Sequence, residues 1–131
     1  MSNSITILEP KVDKETLEKI KEDIDLEGQV TIHISFTNYT TENQLLRLWK
    51  TTYLFDKSST YKSKLIQHYN ISFYPKWMVV KLGETLTFTL IFSALPKSCK
   101  RFDLIEQIPE PGGFVFKNIA RNTSDVYHLT L

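Results

Sequence analysis

The sequence predicts an all-β fold in which antiparallel sheets pack as a sandwich, and three observations predict it. Apolar and polar residues alternate at period two in several short stretches, the pattern of a strand with one face buried and one wet. Turn-forming Gly, Pro, Asn, Asp and Ser separate these stretches at short intervals. Helical spacing of apolar residues is confined to one short segment near the N-terminus.

The clearest strand is residues 85 to 92, T-L-T-F-T-L-I-F. Leu86, Phe88, Leu90 and Phe92 share one face and Thr85, Thr87 and Thr89 the other, which marks a central strand against the core. In chain order, residues 4 to 8 are short and apolar enough to pair at a sheet edge, and Pro10 ends them because it cannot donate to a ladder. Asp13 is placed to cap a helix over residues 14 to 22, with Leu17, Ile20 and Ile24 at helical spacing. Residues 1 to 23 then form a strand and short helix packed on the sandwich.

Residues 24 to 26 and 30 to 36 alternate on either side of Glu27-Gly28, which reads as a hairpin whose glycine supplies positive φ. Val30, Ile32, Ile34 and Phe36 face the core, so Thr31, His33 and Ser35 face solvent. Residues 44 to 55 are long for one strand, and Leu46, Leu48 and Trp49 cannot all point one way. A bulge or a change of sheet near Trp49 resolves the conflict.

Residues 61 to 71 form the next strand, and residues 72 to 83 follow as an aromatic, proline-bent segment that ends in the Gly83-Glu84 turn. After the central strand come a loop at 94 to 100, a strand at 101 to 106 and a breaker at 109 to 113. Two strands, 114 to 119 and 126 to 131, close the chain around a polar turn. The sum is an antiparallel immunoglobulin-like β-sandwich of seven to eight strands with one short N-terminal helix, a single domain over residues 1 to 131, with a barrel as the second choice.

The C-terminal third carries a resemblance. Leu86-Thr-Phe88, Leu90-Ile-Phe92, Leu95-Pro96 and Phe102-Asp-Leu-Ile-Glu106 resemble a pattern in small bacterial β-sandwich domains of unassigned function, in which an L-x-F-x-L-x-F strand precedes a Leu-Pro loop and a D-L-I-E strand. Phe36-Thr-Asn38 and Leu46-Arg-Leu-Trp49 fit the same group more loosely. The resemblance implies a fold and a bacterial origin and carries no activity or functional residue.

Composition narrows the function by exclusion. The net charge of +1 is too close to balance to call for nucleic acid or an anionic membrane. Charge is instead uneven along the chain: residues 9 to 27 hold eight acids against four bases, the acidic part of the sequence. Such a run is normally a solvated face. Cys99 is the only cysteine, so no intrachain disulfide forms, and the N-terminal residues lack a secretory pattern. A cytoplasmic protein is expected. The three N-x-S/T sites, at Asn38, Asn70 and Asn122, accordingly read as turns.

Candidate chemistry is sparse. His33, His68 and His128 are far apart in sequence, so no metal centre is expected, and only a site assembled from distant strands would join them. Cys99 sits among Lys97, Lys100 and Arg101, which could lower a thiol pKa, but no local base accompanies it and a half-buried loop cysteine is expected. Asp103 and Glu106, three apart in a strand, point to opposite faces and cannot act as a pair. No catalytic residue and no cofactor are expected. The best binding surface is Phe73-Tyr-Pro-Lys-Trp77, with Tyr74, Lys76 and Trp77 as candidate contacts, since Tyr and Trp offer rigid area at low entropic cost. A sandwich usually buries a tryptophan, so core packing is the favoured alternative for Trp77 and still more for Trp49.

The reading is therefore a non-catalytic protein-interaction or accessory module, with a protein partner or a second copy, and without nucleic acid or membrane. A small-molecule or carbohydrate binder comes second. An enzyme with a site drawn from distant strands comes third.

Overall fold

The computed structural model describes residues 28–131, and all secondary structure among them is β. The predicted N-terminal strand, the helix over residues 14 to 22, the acidic run and the first arm of the hairpin lie outside the described residues. The nine strands are β1 (Val30–Thr37), β2 (Gln44–Leu46), β3 (Thr52–Asp56), β4 (Lys62–Tyr69), β5 (Met78–Val80), β6 (Thr85–Phe92), β7 (Arg101–Glu106), β8 (Val115–Ala120) and β9 (Val126–Thr130). Seven of them form one sheet in the order β8-β7-β3-β4-β6-β1-β9, and β2 with β5 forms a second, small one.

β6 is an interior strand between β4 and β1, as its alternation predicts. Phe88, Leu90 and Phe92 are buried against Val30, Ile32 and Ile34 of β1, while the Thr positions of β6 face the hydroxyl-rich side of β1. Gly83 reaches φ 81° in the turn before β6, a conformation costly for residues with a Cβ. Asn38, Asn70 and Asn122 all lie at turns. Asn38 is buried and donates to the Glu42 and Val80 carbonyls, Asn70 adopts φ 62°, and the Asn122 carboxamide oxygen accepts from the Asp125 N–H.

Two expectations need correction. The sheet is mixed: β1 pairs antiparallel with β6 but parallel with β9, so the fold is not purely antiparallel, and nine strands exceed the expected eight. β8 borders β7 and β9 borders β1, at opposite ends of the strand order.

The sheet curls so that β9 at one end approaches β7, next to the other end. β4 pairs with β3 through residues 62 to 64 and with β6 through residues 65 to 69, with a register shift between Leu65 and Gln67. Such an irregularity bends a strand and raises its twist. The curl brings Phe102 of β7 edge-on to Tyr127 of β9, with ring centroids 5.1 Å apart.

Arg121, between β8 and β9, completes the seam. It donates to both Asp125 carboxylate oxygens at 2.6 and 2.9 Å and to the carbonyls of Pro96 and Cys99 at 2.8 and 3.2 Å. The Tyr127 hydroxyl donates to Asp125 and accepts from the Asn122 N–H. Arg121 holds the Asp125 carboxyl below its ordinary value, against the opposing effect of burial.

Candidate binding site

The expected change of sheet at Trp49 creates the site. β2 leaves the small sheet after Leu46, Leu48 makes an isolated bridge to Phe73, and β3 enters the large sheet at Thr52. Along this crossing Leu46 and Leu48 turn toward the core while Leu45, Arg47 and Trp49 turn away from it. Across from them, Leu45 faces Val79 and Leu46 faces Met78 in register, so the same pairing carried on sets Arg47 opposite Trp77. The outer face of the small sheet is consequently apolar, aromatic and basic at once.

The Arg47 guanidinium carbon lies 3.7 Å from the Trp77 ring centroid and 4.5 Å from that of Tyr74. Tyr74 in turn stacks on Trp49 at 3.9 Å. Arg47 donates to the Pro75 carbonyl at 3.2 Å and to Glu110 at 3.3 Å, and its buried Nε has no hydrogen-bond partner. Cation–π contact with Trp is among the strongest of its kind. The cluster is thus mutually braced without being closed: Trp77 is 50% exposed and Tyr74 48%.

Beside this cluster lies a cleft of about 190 Å³, walled by Trp49, Trp77, Arg47, Glu106, Glu110 and Phe114 among others. Glu106 is buried, and its two oxygens accept from the Trp49 N–H at 2.8 Å and the Phe114 N–H at 3.1 Å. Burial raises its pKa, and these two backbone donors pull the other way. Gly113, between the cleft residues Gly112 and Phe114, packs tightly: a Cβ there would sit 2.5 Å from the Glu106 carbonyl oxygen and 3.3 Å from Ile108 Cγ1. The Glu106 side chain therefore ties the crossing before β3 and the loop before β8 to β7.

Of the residues singled out in the sequence, Trp77 lines the cleft and Tyr74 braces it through Arg47 and Trp49. Lys76 is exposed but outside the cleft, and its main chain closes the local turn with Phe73 and Ser72. Core packing is the wrong account of Trp77, and Trp49 is only partly buried, stacked on Tyr74 at the rim. Arg47 and Glu110 were missed. The cue for Arg47 was its alternation with Leu45 and Trp49; nothing local to Glu110 marks it.

Cys99 is buried rather than half-buried, and its thiol donates to the Arg101 carbonyl. Burial, and then the neighbouring Asp56, push its pKa up to about 11, the reverse of activation by nearby lysines. Asp103 and Glu106 serve separate partners, as their spacing predicts. Asp103 accepts from the Asn118 N–H at 2.7 Å and pairs with Lys57 at 3.4 Å, and neither it nor these partners line the cleft.

No helix among the described residues is long and apolar enough to cross a membrane. No protein-family model, curated protein or solved structure matches this chain.

Proposed function

We propose that this domain is a non-catalytic recognition module, acting on a protein partner through the outer face of the β2–β5 sheet and the cleft beside it. The observation that carries the reading is the Arg47 guanidinium held against Trp77 and Tyr74 while both rings stay half exposed. Trp, Tyr and Arg are the residues most enriched at interaction hot spots, and a pre-ordered cluster loses little entropy on binding. Leu45 and Val79, both more than half exposed, extend the surface with apolar area. The engagement of both Glu106 oxygens with backbone N–H groups supports a structural role for the most buried acid of the cleft rather than acid–base chemistry.

We read the curled sheet, with the small sheet beside it, as an immunoglobulin-like sandwich of bacterial type, suited to a reducing cytoplasm. The Phe102 to Tyr127 and Phe88 to Phe114 contacts support two layers facing across one core. A second reading, a small-molecule or carbohydrate site, is favoured by the cleft itself, where Trp77 lies beside Glu110 and Arg47.

Affinity capture from native lysate with wild type, Leu45→Glu and Trp77→Ala separates these readings. The proposal expects a stoichiometric protein retained by wild type and lost from both variants. Retention unchanged by either variant contradicts it. If no protein is retained but a sugar or metabolite raises the melting temperature of wild type and not of Trp77→Ala, the second reading replaces the first.

A further inference from the structure

His33 and His128 are separated by most of the described chain, yet the parallel pairing of β1 with β9 sets them directly opposite each other. Their rings stack with centroids 4.9 Å apart, close to the spacing of neighbouring strands. His33 Nδ1 lies 2.7 Å from Thr89 Oγ1 on β6, so the next strand anchors its ring from the other side. His128 is exposed.

We propose that this pair is a surface chelate for a late first-row divalent metal such as Zn²⁺, Ni²⁺ or Cu²⁺. Imidazole is a preferred ligand of these ions, and affinity rises along the series toward Cu²⁺. When His33 Nδ1–H donates to the Thr89 hydroxyl, Nε2 keeps its lone pair for the metal, the arrangement that orients most metal-bound histidines.

Two nitrogens in one coordination shell, each about 2.0 to 2.1 Å from the ion, sit about 3 Å apart. Turning the exposed His128 ring about its χ angles brings its Nε2 toward that of His33, and water fills the remaining positions. In register, Thr31 and Val126 flank the pair on one side and Ser35 and Thr130 on the other. None of these flanking residues carries charge. No carboxylate lies among them to favour Mg²⁺ or Ca²⁺, which take oxygen ligands.

The test is calorimetric titration of the tag-free protein with Zn²⁺, Ni²⁺ and Cu²⁺, with the histidine ring signals followed by NMR during the Zn²⁺ titration. The expected result is one ion per chain, tightest for Cu²⁺, with the His33 and His128 rings shifting together and the His68 ring unmoved. His33→Ala and His128→Ala each weaken binding by at least about tenfold, as does Thr89→Val, while Thr89→Ser retains it. His68→Ala leaves binding unchanged. Absence of binding by the wild type, or binding that survives both His33→Ala and His128→Ala, overturns the proposal.

Discussion

Two arginines do opposite work in this domain. Arg121 donates to Asp125 and to the Pro96 and Cys99 carbonyls, and it ties the connection between the two end strands to the loop between β6 and β7. Arg47 meets its neighbours face-on, through the rings of Trp77 and Tyr74, with its Nε unpartnered and one exposed carboxylate at its tip. A guanidinium saturated with acceptors has little left to offer a ligand. One laid against aromatic faces beside a cleft, with the Pro75 carbonyl and Glu110 as its acceptors, instead fixes the rings that stay open to a partner. The first region therefore stabilises the fold, and the second presents a surface.

The largest expected effect falls on the seam. Arg121→Ala leaves Asp125 without its cation and two carbonyls without a donor, and should lower stability by about 3 kcal/mol in equilibrium urea denaturation. An unchanged midpoint would mean the seam is not held by this side chain. Gly113→Ala comes next, because its Cβ meets a backbone oxygen that cannot turn aside. A loss of about 2 kcal/mol is expected, together with displacement of the Pro111-to-Phe114 segment that lines the cleft.

A pH series sharpens the contrast further. The folded Asp125 carboxyl lies below its ordinary value of 3.8, with the Arg121 hydrogen bond as the main cause, so its stabilising contribution is full above 3.8 and is lost as pH falls through the folded value. Wild type should thus exceed Asp125→Asn by on the order of 1 kcal/mol at neutral pH, and this advantage should vanish in acid. Glu106 runs the other way. Burial raises its folded pKa above the ordinary 4.5, so wild type should gain on Glu106→Gln as pH falls from neutral through that raised value. Parallel pH profiles for the two pairs would contradict these assignments.

What the sequence disclosed follows from how local each cause is. The alternation of β6 and β1 is written in consecutive residues, and Val30, Ile32, Ile34, Phe88, Leu90 and Phe92 are buried as it predicts, while Phe36 and Leu86 at the strand ends are only partly buried. The conflict among Leu46, Leu48 and Trp49 was equally local and located the change of sheet. The parallel pairing of β9 with β1 depends on a curl that no single stretch encodes, so the neighbourhood of His33 and His128 was invisible. Trp77 illustrates the same limit at the site: its exposure depends on Arg47 lying across a two-stranded sheet with no further strand beyond it among the described residues. Propensity places a tryptophan in the core, whereas here a cation covers one of its faces.

The most direct test of the division between seam and surface is the equilibrium unfolding free energy of Trp77→Ala. A half-exposed ring that serves recognition should cost less than about 1 kcal/mol when removed. A loss of about 3 kcal/mol or more, the scale expected for a buried aromatic, would assign Trp77 to the folding core and contradict the account of the cleft as a recognition surface.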